Sequence, residues 1–391
     1  GPLRFHAKTS ACLFGPARVG KGVGLIVPTL LRMRGRSLVV IDPKGELAAV
    51  TAEARRVLGD RVHVINPFGY VCDDFPAYGD LQSGGFNPLG FLDPASPSFA
   101  TDAAVIGEAL IDHEGGKDPH WTDSARSLVE GVTMHATIKA RASGRAATMR
   151  EVRALLAQPS AAGNLALGLE PVGLPALAAQ IAVTSECEAL QNIMGQFVNW
   201  TKEKDGVQST ALRQTKNFED EYIKRDTECG GFDFRTLRRE ATTVYVIVPP
   251  TMLHTQAKWL RLVISSAINA VMRPKKPGEL DVMFLLEEAF ALGALPAVEK
   301  NINLTSGYGV TFWMIYQSLA QLEKIYGDKG AALILSAMGV VSYFRANDVQ
   351  TAALMSRMAG QRTITVANQG TGHNINTQGG GGQSVSLNYS Q

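Results

Sequence analysis

Eight consecutive residues near the start of the chain, Gly15-Pro16-Ala17-Arg18-Val19-Gly20-Lys21-Gly22, have the G-x4-G-K spacing of a phosphate-binding loop. The glycines let backbone N–H groups turn inward around phosphate oxygens, and Lys21 neutralises the β and γ phosphates. An apolar helix expected to begin there, with Val23 in its first turn, adds its positive dipole end to the same anion. Position 22 usually carries the Ser or Thr hydroxyl that holds Mg²⁺; here it is glycine.

Such a loop needs an acidic partner at the end of a second buried strand. Asp281-Val282-Met283-Phe284-Leu285-Leu286-Glu287-Glu288 meets that need, with an apolar run ending in two carboxylates. In a site of this kind the first carboxylate, Glu287, orients the Mg²⁺ shell and the second, Glu288, polarises the attacking water. A third apolar run, Val310–Tyr316, ends at Gln317, whose amide can contact the γ phosphate and report its loss. Asp42-Pro43-Lys44-Gly45-Glu46 also ends a strand. It is readable either as a contact to nucleotide or a neighbouring subunit, or as a turn and helix cap.

These residues meet only if their strands lie side by side, and the pattern of elements supports that. Ser10–Phe14, Ser37–Ile41 and Val62–Ile65 read as buried strands separated by helices from Lys21 to about Met33 and over Glu46–Leu58. Strands resume at Thr243–Val248, Asp281–Leu286, Val310–Tyr316 and Val340–Phe344, with helices at Thr255–Met272, Leu319–Tyr326 and Asp348–Ala359 between or after them. Strand–helix alternation implies crossovers and a mainly parallel sheet covered on both faces, so the strands' C-terminal ends share one crevice. From residue 99 to about 224 the strand signal gives way to helical spacing, as in Ala103–Ile111, Ser124–Ala140, Met149–Leu156, Leu174–Ile181 and Ala189–Val198. The expected organisation is α/β: a nucleotide-binding domain in two parts, residues 1–98 and 225–391, interrupted by an all-α domain at 99–224. The tail alternates around Gly379–Gly382 and reads as a terminal hairpin, Thr363–Val366 with Ser384–Leu387.

Composition bounds the function. The chain has 391 residues, 45% hydrophobic and 19% charged, which excludes a disordered or fibrous protein. A net charge of +2 makes no nucleic-acid argument for the whole chain, so any such surface is local. The basic residues Lys202, Lys204, Arg213, Lys216, Lys224 and Arg225 are interleaved with acids, the pattern of a solvated helix face. Four scattered cysteines without a C-x-x-C pair argue against a zinc site and for a reducing compartment. Apolar runs fall far short of the roughly 20 residues needed to cross a bilayer. The Gly1-Pro2 start reads as a cleavage scar, with an N-terminal segment removed.

Taken together these blocks resemble the type IV coupling proteins, the TraG-like ATPases of conjugation and type IV secretion. Lys21-Gly22-Val23-Gly24 running into Pro28-Thr29-Leu30-Leu31 looks like that family's first helix. Ile41-Asp42-Pro43-Lys44-Gly45-Glu46-Leu47 with Thr51-Ala52 is similar to a second block, and Asn66-Pro67-Phe68 with Asn87-Pro88-Leu89 to a third. Leu285-Leu286-Glu287-Glu288 through Leu292-Gly293, Gly307-Tyr308-Gly309, Gln317-Ser318 and Asp348 with Thr351-Ala352 complete the likeness over nearly the whole chain. Three departures bear on mechanism. Glu287 stands where the family usually has Asp, Gly22 is a variant the family accepts, and Ser306 stands where some relatives carry an arginine finger. Arg345, Arg357 and Arg362 are the alternatives for that finger.

The resemblance implies a RecA-like P-loop NTPase fold split by a helical domain, with ATP and Mg²⁺ as cofactors and a homohexameric ring in the full-length protein. It also implies residence at the cytoplasmic face of the bacterial inner membrane through a segment outside this chain. Its role would be to pass a relaxase–DNA complex, protein effectors or both to a type IV secretion channel. Another class of function remains beside it, a receptor that recruits effectors and uses nucleotide as a switch with little turnover or DNA pumping.

Overall fold

Among the described residues, seven runs rich in apolar and β-branched residues form the strands of one sheet; the five inner strands are almost wholly buried, and the two edge strands are partly exposed. The seven are β1 (Ser10–Phe14), β2 (Arg36–Ile41), β3 (Arg61–Ile65), β4 (Thr242–Val246), β5 (Asp281–Leu286), β6 (Val310–Tyr316) and β7 (Met338–Tyr343). In the computed structural model, which describes residues 8–70, 81–111, 119–161 and 170–360, their order is β3-β4-β2-β5-β6-β1-β7 and every pairing is parallel. The α/β architecture is the one expected, and the sheet is wholly parallel rather than mainly so among the described strands. Three strands, β1, β5 and β6, have the bounds read from the sequence.

Two compact units divide the chain between Ala346 and Asn347. In the first, α1 (Val27–Arg32) and α2 (Glu46–Val57) follow β1 and β2 and share a core with Leu13, Leu38, Val40, Leu285, Trp313 and Ile315. The fully buried Arg55 ties this layer together. It donates to Asp60 Oδ2 and Thr243 Oγ1 (Nε, 3.0 and 3.2 Å) and to the Leu30 carbonyl (Nη1, 2.9 Å), so its charge is paired as a buried guanidinium requires.

Among the described residues between β3 and β4 lie seven α-helices: α3 (Phe99–Leu110), α4 (Pro119–Ala142), α5 (Met149–Leu156), α6 (Leu174–Thr184), α7 (Glu188–Gly195), α8 (Lys202–Gln214) and α9 (Glu221–Glu228). Thr148 and Glu151 form a reciprocal capping box that starts α5 at its predicted residue. Next comes α10 (Ala257–Val271), with twelve of its fifteen residues buried, the signature of a helix enclosed on all sides. Asp102 on α3 accepts from Asn269 of α10 at 2.8 Å and pairs with Arg273 at 3.2 Å, fastening the helical stretch to α10.

The remaining helices of this unit are α11 (Pro296–Asn301) and α12 (Leu319–Ser336). Gly327, at φ 68°, breaks the helical path inside α12, which is why the periodicity reads as a helix ending at Tyr326 although a further helical stretch follows. The second unit contains α13 (Val349–Ala359), whose N-cap Asp348 accepts from the Thr351 N–H at 2.8 Å. The hairpin expected over Thr363–Leu387 lies outside the described residues. No helix among the described residues is long and apolar enough to cross a membrane.

Candidate functional site

The crevice is set by strand order. β6 lies between β1 and β5, with Phe14 level with Tyr316 and Leu286 level with Met314. The segments that leave these three strands, starting at Gly15, Gln317 and Glu287, therefore emerge side by side at one edge.

Gly15 donates its N–H to the Tyr316 carbonyl at 3.0 Å, so the loop stays paired with β6 for one residue beyond the strand. A Cβ at Gly15 would lie 3.1 Å from Phe344 Cβ and 3.2 Å from Lys21 Cδ, which accounts for glycine there. The loop then turns through two left-handed residues, Arg18 (φ 61°) and Gly20 (φ 84°). Lys21 folds back over it, and its Nζ donates to the Gly15 carbonyl at 2.6 Å. Its ammonium thus sits across the loop mouth. Burial lowers the Lys21 pKa, while the Glu288 and Glu287 charges oppose that fall.

The helix after the loop is not uniform. Gly22–Ile26 is a π turn in which the Val27 N–H reaches back five residues to the Gly22 carbonyl, and α1 begins only at Val27. Pro28 has no N–H with which to continue an α-helical ladder from Gly24, so the single helix expected over Lys21–Met33 is divided here. No atom lies within 4 Å of the place a Cβ would occupy at Gly22, so a side chain there would meet open space.

The acidic pair follows β5 directly. Glu288 has φ 63°, a left-handed conformation that costs a non-glycine residue on the order of 1 kcal/mol and aims its side chain away from the strand direction. There it meets Gln317, whose Nε2 donates to both Glu288 oxygens at 3.1 and 3.3 Å. The Gln317 backbone N–H donates to Gln321 Oε1 at 2.8 Å, anchoring the main chain at this residue to the first turn of α12. Glu287 is pushed up from 4.5 to about 7, chiefly by burial and next by the charge of Asp42, with Lys21 acting against the rise.

Asp42 directly follows β2, the other neighbour of β5, with Ile41 level with Leu286. Its Oδ2 accepts from the Ala48 N–H at 2.7 Å, and Gly45 (φ 67°) makes the turn into α2, so the Asp42–Glu46 block does form a turn and cap. Asp42 is completely buried and its pKa is raised to about 6, chiefly by that burial. Lys44 is exposed and lines a cleft of about 190 Å³ with Pro250, Leu253, His254, Glu287 and Glu288. The sequence pattern does not single out Pro250, Leu253 or His254, because they precede a helix far along the chain and carry no motif.

Lys21, Glu287, Glu288 and Gln317 are thus gathered with the loop Gly15–Val23. Other residues singled out in the sequence lie elsewhere. Ser306 sits in a 3-10 turn, Thr305–Tyr308, at the opposite end of β6, so the full length of that strand (roughly 20 Å for seven residues) separates it from Gln317. Arg345 follows β7 on the loop side, where the Phe344 N–H donates to the Phe14 carbonyl at 2.9 Å. Arg357 belongs to the second unit, and Arg362 lies outside the described residues. Asn66 and Asn87 are loop staples: Asn66 bonds Tyr70 and the Leu81 carbonyl, and Asn87 Nδ2 donates to the Ala147 carbonyl.

The profile of the family described as type IV secretory system conjugative DNA transfer matches residues 4–391. The chain is 30% identical over 376 residues to protein VirD4 of Rhizobium radiobacter, covering 93% of this chain and 51% of that protein. It is 28% identical over 383 residues to the conjugal transfer protein TraG of Escherichia coli, covering 93% and 56%. The chain therefore spans about half the length of the curated relatives it matches. Among solved structures it resembles the plasmid coupling protein TrwB in complex with the GTP analogue GDPNP, with TM-score 0.61, 15% identity and coverage of 90% of this chain and 74% of that one. It also resembles TrwB in complex with ADP and Mg²⁺, with TM-score 0.57, 14% identity and coverage of 85% and 70%. At that identity the likeness is one of fold.

Proposed function

Because the chain belongs to the type IV secretory system conjugative DNA transfer family, we propose that it is the nucleotide-driven part of a coupling protein, binding ATP with Mg²⁺ at the crevice and hydrolysing it to move or gate cargo. One observation carries the reading: the loop holding Lys21, the acidic pair and Gln317 converge at one sheet edge, with Gln317 bonded to Glu288.

In this reading the backbone N–H groups of residues 17–23 cradle the phosphates, and Lys21 exchanges the Gly15 carbonyl for phosphate oxygens. Among the described residues no three His, Cys or carboxylate groups are arranged to hold a metal by themselves. Mg²⁺ needs no such cage, because it binds through one or two carboxylates and completes its shell with phosphates and water. Glu287, largely buried beside the crevice, supplies a hard-oxygen ligand of that kind. When bound, the ion neutralises charge on the β and γ phosphates. Glu288 takes a proton from the attacking water, and Gln317 orients Glu288 until phosphate competes for its amide.

The helical stretch 99–224 is assigned to cargo recognition, since every phosphate-type motif lies outside it; the cargo is relaxase-bound DNA, protein effectors or both. A homohexameric ring at the inner membrane follows from the family rather than from this site. The test is nucleotide binding and hydrolysis with and without single- and double-stranded DNA. Lys21→Ala should abolish binding; Glu288→Gln should retain it and slow hydrolysis by roughly 10²-fold or more. Hydrolysis unaffected by Glu288→Gln would show that the site lies elsewhere, and turnover indifferent to DNA would favour the effector-receptor reading.

A further inference from the structure

Asp42 does one job with one oxygen and leaves the other idle. Its Oδ2 accepts from the Ala48 N–H at 2.7 Å, and its backbone N–H donates to the Val246 carbonyl at 3.0 Å, so the side chain is held from both sides. Its Oδ1 is buried and has no hydrogen-bond partner. A helix cap requires a single acceptor, which Asn supplies equally well. A second, charged acceptor buried without a donor costs several kcal/mol in general and is retained only where something serves it.

What could serve it is limited by position. β2 and β5 are adjacent and parallel, with Ile41 level with Leu286, so Asp42 and Glu287 are the next residues on neighbouring strands. The nearby cations are otherwise occupied: Lys21 donates to the Gly15 carbonyl, and Lys44 is exposed and pairs with Glu46 at 3.6 Å. We infer that Asp42 is a positioning residue of the nucleotide site, its free Oδ1 accepting a hydrogen bond from a water in the shell of the divalent cation that Glu287 helps to hold. The inference rests on the nucleotide-site reading above and adds to it a residue from a fourth strand, β2. It also explains why a buried carboxylate, rather than an amide or hydroxyl, starts α2.

Asp42→Asn separates the two jobs, because the amide oxygen can still cap α2 while the NH2 takes the place of Oδ1 and cannot accept. Mg²⁺ affinity is measured by titration at saturating non-hydrolysable ATP analogue, alongside analogue affinity in EDTA and the thermal midpoint. The expected result is a thermal midpoint no lower than wild type, unchanged affinity in EDTA and Mg²⁺ affinity lower by about 10- to 100-fold, the usual loss when an outer-shell partner is removed. Mg²⁺ affinity equal to the wild type overturns the inference. Should Asp42→Asn not fold, the wild type decides: with Mn²⁺ bound to protein carrying ¹³C-labelled aspartate, Asp42 must give a ¹³C coupling by electron–nuclear double resonance, and its absence overturns the inference. A wild type whose nucleotide binding is indifferent to Mg²⁺ overturns instead the reading on which it rests.

Discussion

Replacing Glu287 with Gln should make the protein more stable and less able to use its cation. Glu287 is raised from 4.5 to about 7, mainly because it is buried and secondarily because Asp42 is beside it. A folded-state pKa above the unfolded one means that between about pH 4.5 and 7 the unfolded chain gives up this proton first, so stability falls as pH rises and the whole penalty is present above pH 7. A shift of that size corresponds to about 3 kcal/mol at most. Partial solvent access and local relaxation bring the expected effect to about 1–2 kcal/mol. Urea denaturation in EDTA should show Glu287→Gln more stable than wild type by that amount at pH 8, with the difference vanishing toward pH 4.5. Glu130, raised to about 7 by its own burial and by Glu108, titrates in the same window but cancels between the two proteins. Adding Mg²⁺ and nucleotide should reverse the order, because a ligand at 100 times its Kd contributes about 2.7 kcal/mol to the protein that binds it well. A variant less stable than wild type at pH 8 without cation, or one whose gain is the same at pH 5, would refute the electrostatic reasoning.

Gly22→Ser enters open space and restores a hydroxyl at the metal position, so Mg²⁺-dependent nucleotide affinity should rise several-fold with no loss in thermal midpoint; titration at varied Mg²⁺ checks it. Gly309→Ala should cost about 1–3 kcal/mol, because Gly309 has φ 67° and an added Cβ would lie 2.4 Å from Asp281 Oδ1; a chemical denaturation midpoint indistinguishable from wild type would contradict it. Ser306→Arg lies at the far end of β6 from Gln317, so it should accelerate hydrolysis only where copies assemble, by up to roughly 10³-fold. Hydrolysis rate per subunit against protein concentration reads this directly, and acceleration independent of concentration would contradict it.

Buried parallel strands announce themselves as unbroken apolar runs, which is why Ser10–Phe14, Asp281–Leu286 and Val310–Tyr316 were readable to the residue. The residues gathered at their ends were legible for a related reason, since Glu287, Glu288 and Gln317 directly follow such runs and Lys21 closes the glycine loop that follows another. Helices α8 and α9 were not readable. In α8 only Val207, Ala211 and Gln214 are buried, too few to mark a period among its charges. Strand order is set by tertiary pairing and leaves no local trace. The bond from Gln317 to Glu288 and the idle oxygen of Asp42 therefore become visible only once β6 lies beside β5 and β5 beside β2.

The left-handed backbone at Glu288 has a consequence for how this protein would respond to selection in the laboratory. Glycine adopts φ 63° without strain, so Glu288→Gly relieves the backbone while deleting the carboxylate that Gln317 holds. A library sorted for heat resistance alone would thus be drawn toward Glu288→Gly and Glu287→Gln, and on the proposed reading its most robust members would no longer hydrolyse nucleotide. A screen that also demands turnover should keep both glutamates and find its gains elsewhere, on surfaces remote from the crevice.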